Sequence, residues 1–425
     1  MPPIRFIHAA DLHLDAAFSG LSRDIPADFA ERLRTATFTA FRRLLDLCER
    51  ESPDFLLLAG DVYNQEDASV SAQLALRDGF RCLESLSIPV FLVHGNHDPL
   101  ASRLRSVRWP GNVTVFGELP DAVPVFRKGE GTPLAIIHGA SHASGRETRN
   151  LAALFRRTEA CGLHVGLLHA TPGDADGVAR YAPFSQEDLK ASGMDYWALG
   201  HIHDRREVCR EPLAAYPGCT QGLHINEPGE KGCLLVTAEA RPDGGYAVRT
   251  SFRPLGPAVW KTLDMDLGGA ASLDELENRL RTGLDRAAAE VWSGCEMLLV
   301  RLRLQGRTEL DGLLRKGTTC AELADRLRED GSGVPRIWIK DIDVATRPCV
   351  ERGALLERED LLGEVFRLSE AARTASGLQA LREGPLAPLF AHARAGKALE
   401  PLTDEELARL LDDAESLCLD LLEND

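Results

Sequence analysis

The sequence predicts an α/β protein: a mainly parallel sheet with helices on both faces in its N-terminal part, then a smaller α/β module, then a helical C-terminal stretch. Three observations carry this reading. Over the first 205 residues, short and nearly continuous apolar runs alternate with stretches of helical periodicity. That is the pattern of strands covered on both faces and joined by right-handed crossovers. After Arg253-Pro254-Leu255-Gly256-Pro257, which reads as a linker, the order becomes strand, helix, strand, helix, strand. Beyond residue 350 the apolar residues recur at helical spacing.

The elements follow in order. Ile4–Ala10 reads as the first strand, and Phe29, Leu33, Phe41, Leu44, Leu45 and Cys48 form a helical stripe closed by Glu51-Ser52-Pro53. Asp54–Ala59 is the second strand, Ser69 to Leu86 the second helix with Ser69 as N-cap, and Ile88–Val93 the third strand. Leu134–Ile137, Val165–Leu168 and Tyr196–Leu199 complete the first part. In the module, Trp260–Leu267, Met297–Leu304 and Arg336–Ile342 read as strands around a helix marked by Leu273, Leu276 and Leu280 and helical material from Leu310 to Leu327. The C-terminal stretch holds one amphipathic run from Leu355 to Leu368 and another from Leu402 to Leu422, opened by a Thr403/Glu406 capping box. The expected domains are residues 1–255, 258–345 and 350–425.

Composition narrows the function classes. With 44% apolar and 27% charged residues in 425, the chain is an ordinary globular one of two to three domains. No apolar run approaches the roughly 20 residues of a membrane helix, and no charged leader with a cleavage signature precedes Ile4, so a cytoplasmic protein with no membrane segment is expected. The ten cysteines are dispersed without a Cys-x-x-Cys pair, which argues for reduced, mostly buried side chains. Net charge is −16. Residues 351–425 hold 17 Asp/Glu against 8 Arg/Lys, or −9, leaving −7 for the rest. Such a chain is not a lone, tight nucleic-acid binder; a polyanionic substrate would need metal ions, a local basic patch or a partner.

The chemistry lies at the strand ends. The strands of the first part run out at Asp11-Leu12-His13, Gly60-Asp61, Gly95-Asn96-His97-Asp98, His169 and Gly200-His201-Ile202-His203. Because ligands bind outside the carboxyl ends of strands in such sheets, the five clusters should converge. Asp11, His13, Asp61, Asn96, His97, His169, His201 and His203 make a mixed oxygen and nitrogen set suited to Mn²⁺, Fe²⁺ or Zn²⁺. The set is too large for one tetrahedral ion but suits two ions sharing a carboxylate, which together activate a water and neutralise charge at phosphorus. The glycines let the backbone turn sharply beside the ions.

These motifs, in this order, resemble the calcineurin-like metallophosphoesterases. The stretches Phe6–Asp15, Gly60–Tyr63 and Asp195–His203, with Tyr216-Pro217-Gly218, Gln221-Gly222 and Glu227-Pro228-Gly229-Glu230-Lys231-Gly232, are most similar to the DNA repair exonuclease branch, that of the SbcD-type nuclease subunit and its YhaO-like relatives. The resemblance implies a sandwich of two mixed sheets flanked by helices. It implies a first ion on Asp11, His13 and His203, a second on Asn96, His169 and His201, and Asp61 bridging both, with Mn²⁺ as the metal. His97 would protonate the leaving oxygen and Asp98 would orient His97. Where relatives commonly carry an Asp or His, this chain has Asn64, which hydrogen-bonds but does not exchange a proton near neutral pH.

His224 and Arg103 are further candidates to meet substrate, Arg103 within a basic group with Arg105 and Arg108. His138 and His142 are candidate cleft residues, whereas His8 and His94 read as strand or supporting residues. By the same resemblance the module caps the active site, and the C-terminal helices dock an SbcC-like or YhaN-like ABC-type coiled-coil ATPase; a homodimer is compatible with it. The expected function is a metal-dependent DNA exonuclease or endonuclease subunit. The alternatives are a two-metal phosphoesterase for a nucleotide or other small phosphodiester, and a scaffold with a vestigial site.

Overall fold

The computed structural model describes residues 2–21, 25–64, 70–101, 107–127, 129–173, 179–242, 244–329, 333–349, 352–392 and 402–423. Ser69, Arg103 and Arg105 lie outside them. The chain divides into two compact units. One is Met1–Asp266 with Leu273–Gln305 and Leu313–Ala345, and the other is Leu267–Ser272 with Gly306–Gly312 and Thr346–Asp425.

In chain order the first strands are β1 (Ile4–Ala9), β2 (Phe55–Ala59), β3 (Val90–Val93), β4 (Val113–Val115), β5 (Asp121–Val125), β6 (Ala135–Ala140), β7 (Leu163–His169) and β8 (Tyr196–Gly200). Then come β9 (Arg206–Arg210), β10 (Leu213–Tyr216), β11 (Gly232–Ala240) and β12 (Tyr246–Pro254). The single, mainly parallel sheet is corrected to two mixed six-stranded sheets, β12-β11-β1-β2-β3-β4 and β5-β6-β7-β8-β10-β9. This is the architecture that the resemblance implied. Their centres are parallel, β1 with β2, β2 with β3, β6 with β7 and β7 with β8. Antiparallel strands close one edge of the first sheet, β11 and β12, and both edges of the second, β5 and β9, while β4 at the first sheet's other edge runs parallel to β3.

Every residue of β2 and β7 is buried, because each sheet packs on both faces. The inner faces meet each other: Phe6, Phe55 and Leu57 of one sheet pack with Ile137, Val165 and Ala198 of the other, and Phe6 stacks on Phe55 at 4.7 Å. The outer face of the first sheet, through Ile7, Leu56 and Leu92, receives α2 (Ala36–Glu51) and α3 (Val70–Ser85) by Phe41, Leu44, Leu76 and Phe80. The helical stripe expected from Phe29 to Cys48 is two helices, since α1 (Ala27–Arg34) stops at Thr35, whose hydroxyl donates to the Glu31 carbonyl at 3.1 Å. α2 ends on Ser52 in the left-handed region, directly before Pro53. With strands parallel at the centre of both sheets and helices outside, the carboxyl ends of β1, β2, β3, β7 and β8 open on one rim.

After the linker, Ala258–Asp266, Met297–Thr308 and Arg336–Pro348 form a three-stranded sheet in that order, with the helix Leu273–Glu290 between the first two strands in sequence. In the second unit, helices Leu361–Ala372 and Asp404–Glu423 share a small core of Leu355, Leu362, Phe366 and Leu419. Thr403 and Glu406 form the expected capping box, amide to carboxylate at 2.7 Å and amide to hydroxyl at 3.3 Å. The ten cysteines are all free; five are buried, while Cys82, Cys161 and Cys349 are exposed, so the expectation of mostly buried thiols holds for only half of them.

Candidate metal centre

The backbone at the strand ends adopts conformations that ordinary residues avoid. Asp11, His13, Asp61 and His201 have φ of 50°, 40°, 49° and 105°. Each such residue costs on the order of 1–3 kcal/mol and persists only where its surroundings over-determine it. Here the turns brace one another: the Asp11 amide donates to the Gly60 carbonyl at 3.1 Å and the His13 amide to the Asp61 carbonyl at 3.0 Å. The His201 amide donates to both Asp11 carboxylate oxygens at 3.2 and 3.1 Å. At Gly200 an ideal Cβ would stand 1.8 Å from the Ala59 carbonyl oxygen, so only glycine lets β8 run this close to β2.

Two donor groups result. Asp11, His13 and His203 bring ligand atoms within 4.8 Å of one another, and so do Asp61, His169 and His201. The second group also reaches Asn96, whose amide oxygen lies 3.0 Å from His169 Nε2. Asp61 stands between the groups, its Oδ2 being 3.3 Å from His169 Nε2 and 4.0 Å from His13 Nε2. All seven residues expected as ligands therefore meet on one rim. The donors are two carboxylates, one amide oxygen and four imidazoles, buried or half-buried, a set that fits two borderline divalent cations.

The remaining ring atoms set the tautomers. His169 Nδ1 donates to the Ala59 carbonyl at 2.9 Å, His13 Nδ1 faces the Asn64 amide oxygen at 2.6 Å and His203 Nδ1 faces Glu227 Oε1 at 2.5 Å. Each leaves Nε2 for the centre. His201 is reversed: its Nε2 meets the Ala179 carbonyl at 3.1 Å, leaving Nδ1. Burial disfavours charge on His169, but the Asp61 and Asp11 carboxylates outweigh it and raise its pKa to about 9. Burial likewise opposes ionised Asp61, yet His169, His13 and His97 hold its pKa below the usual carboxylate value. Burial and the neighbouring His169 lower His201 to about 3.

His97 is exposed, and its ring centre lies 5.2 Å from that of His13. Its amide donates to Asp61 Oδ1 at 2.9 Å, which ties the residue to the shared carboxylate. The expected role of Asp98 is corrected. Its fully buried carboxylate accepts from the amides of Gly95, Asp61 and Val62 at 2.7, 3.2 and 3.1 Å and lies 3.3 Å from His94 Nδ1, so it joins two ligand turns rather than orienting His97. Asn64 lies on His13. His142 Nε2 donates to the His169 carbonyl at 2.6 Å and so supports the site, whereas His138 pairs with His164 at 3.0 Å inside the second sheet. His8 is buried between Tyr196 and Leu199. His224 has its Nδ1 on the Asn226 amide at 3.1 Å, near Gly20, outside both donor groups.

Glu227 and Lys231 entered the sequence reading only as part of the Glu227–Gly232 stretch of the resemblance, with no role at the centre. Beside the Glu227 contact, Lys231 Nζ donates to the His203 carbonyl at 3.1 Å and to Asp204 at 3.2 Å. Both residues stand in the Glu227–Gly232 stretch, and polar residues in a Gly/Pro-rich loop after the last ligand motif were the signal to follow.

Two mixed sheets that bring two candidate donor groups to either side of Asp61 have the make-up of a metallophosphoesterase. Residues 4–205 match the calcineurin-like phosphoesterase family, residues 260–347 match the metallophosphoesterase YhaO middle domain, and the chain belongs to the YhaO-like metallophosphoesterases, which are hydrolases. It is 34% identical over 388 residues to the uncharacterized metallophosphoesterase YhaO of Bacillus subtilis (strain 168), covering 90% of this chain and 91% of that one. It is 27% identical over 319 residues to the DNA double-strand break repair protein Mre11 of Aeropyrum pernix, covering 68% of this chain and 69% of that one. A dimetal phosphatase of Danio rerio aligns over 59% of this chain and 99% of its own, at 13% identity and a TM-score of 0.33. Among the described residues no helix is long and apolar enough to cross a membrane.

Proposed function

We propose that this metallophosphoesterase is a DNA nuclease subunit that hydrolyses phosphodiester bonds with two divalent ions, Mn²⁺ in the first place, and works with an ABC-type coiled-coil ATPase in DNA repair. The observation that carries the reading is Asp61 Oδ2, within 4.0 Å of one donor group and 3.3 Å of the other. Asp11, His13 and His203 would hold one ion, Asn96, His169 and His201 the second, with Asp61 common to both. When bound, such ions activate the attacking water and offset the charge that grows at phosphorus.

The chain's own residues do the rest. The His97 amide on Asp61 fixes the start of that side chain beside the shared carboxylate, and its exposed ring is free to meet substrate. It donates a proton to the departing oxygen, a contribution of about 10²–10⁴-fold for a well-placed general acid. DNA is favoured over a small ester by Arg146, Arg180, Arg205 and Arg206. They are exposed and have no ion-pair partner among the described residues. They follow Gly145, whose ideal Cβ would lie 3.1 Å from the Asn96 carbonyl, Ala179, which receives His201, and His203 itself. In a chain of net charge −16 these are cations at the rim without a carboxylate partner among the described residues, placed for phosphates. The similarity to Mre11, a DNA double-strand break repair protein, points the same way.

On the same reading residues 1–255 are the nuclease domain, 258–345 the cap and 350–425 the ATPase-docking segment. The last is supported by exposed Leu361, Leu368, Leu410, Leu417 and Leu421 on helices whose other faces form their own core. A cytoplasmic location goes with this role.

The test is digestion of linear DNA by the purified chain with Mn²⁺. Wild type is expected to degrade it, and His97→Ala to lose about 10²–10⁴-fold in rate while still binding metal. Hydrolysis of a chromogenic phosphodiester with no action on any DNA would reject the nuclease reading in favour of a small-molecule phosphoesterase.

A further inference from the structure

The four imidazoles that face the centre are not equivalent. The outer ring nitrogens of His169 and His201 meet backbone carbonyls, and that of His13 meets the neutral Asn64 amide. Among the described residues only His203 has a carboxylate there, Glu227 Oε1 at 2.5 Å. The other Glu227 oxygen accepts the Leu223 amide at 2.6 Å, so the carboxylate is fixed from both ends. The surrounding loop holds the rest of His203: its carbonyl receives Lys231 Nζ at 3.1 Å and the Cys219 amide at 3.3 Å. The far side of the loop is tied to Ala258–Asp266, the first strand after the linker. The Gln221 side chain bonds the Ala258 carbonyl and amide at 2.8 and 3.1 Å, and Trp260 Nε1 donates to the Gly222 carbonyl at 3.0 Å.

A carboxylate behind a ligating imidazole keeps the proton on Nδ1, leaves the Nε2 lone pair for the metal and raises its basicity; losing such a partner typically weakens metal binding about 10–100-fold. We propose that Glu227 is a positioning residue for His203, and that its charge makes the ion on Asp11, His13 and His203 the more tightly held of the two. The proposal rests on the two-ion reading of the site. Cys219 also comes within 4.8 Å of His203 and Glu227. An ion placed among those three would have to break the 2.5 Å contact, so Glu227 acts through His203 rather than as a ligand.

The experiment is Mn²⁺ titration of the full chain by calorimetry and by electron paramagnetic resonance. Wild type should bind two ions and give the spectrum of a spin-coupled pair. Glu227→Gln keeps the shape and removes the charge; it should weaken one ion about 10-fold, and Glu227→Ala about 10–100-fold, leaving an isolated-Mn²⁺ spectrum where wild type is doubly filled. Asn64→Asp, which places a second carboxylate behind His13, should tighten the same ion. The proposal is overturned if both Glu227 variants bind two ions with wild-type affinity, or if Asn64→Asp folds and gives no gain. Should wild type bind fewer than two ions, the two-ion reading itself fails and takes this proposal with it.

Discussion

Asp98 accepts the backbone amide of Asp61 at 3.2 Å, across 37 positions of sequence, and with its second oxygen takes the amide of Val62. One buried carboxylate thus joins the turn after β2 to the turn after β3.

Asp98→Ala would leave the Gly95, Asp61 and Val62 amides without their acceptor. At about 1–3 kcal/mol for each buried donor left unpaired, the loss should be on the order of 3 kcal/mol of stability after relaxation. Denaturant unfolding of the metal-free protein measures it. Metal affinity should fall as well, because both turns carry proposed ligands; an unchanged midpoint with intact metal binding would reject the bracing role.

His138 predicts an acid limb of stability away from the metal centre. Burial first, then the His164 ring and Arg157, push its pKa down from 6.5 to about 4, with Asp121 opposing. The folded pKa lies below the unfolded one, so the unfolded chain takes the proton first as pH falls. The His138 contribution is complete above about pH 6.5 and is lost progressively toward pH 4. Linkage gives about 2 kcal/mol between pH 7 and about pH 5. Urea melts of wild type and His138→Gln at both values should show the variant closing or reversing its gap by that amount at the lower pH.

Arg205 lies over the Phe252 ring at 4.0 Å and Arg206 over Tyr216 at 5.6 Å, so both guanidinium groups rest on aromatic rings, with no carboxylate partner among the described residues. Reversing them together, Arg205→Glu with Arg206→Glu, should weaken DNA binding and flatten its logarithmic salt dependence by about one for each phosphate that is no longer neutralised. Mn²⁺ binding should be untouched. Equal salt slopes would remove these two residues from the DNA path.

Much of the site was legible because the chemistry repeats one topological rule, polar ligands directly after apolar strands. Asp11, Asp61, Asn96, His169 and His203 needed only that rule to be gathered. The antiparallel edges were not legible: β11 pairs with β1 more than 220 residues away, as in Ile4 with Ala238, and local periodicity does not report such a pairing. Asp98 misled for a related reason. Adjacency to His97 in sequence says nothing of direction inside a tight turn, where successive side chains diverge. Glu227 escaped because its loop carries no periodic pattern and its meaning comes only from the ring that it touches.

The left-handed backbone at Asp11, His13, Asp61 and His201 has a consequence for how this molecule ages under heat or mutation. A scaffold that holds four residues of one rim away from their preferred conformations keeps part of its tension there, so softening of the sandwich is felt at that rim before the sheets part. Loss of grip on the cations should therefore precede melting, and damage deep in the aromatic layer around Phe6 and Phe55 should be seen as a failing catalyst well before an unfolded chain.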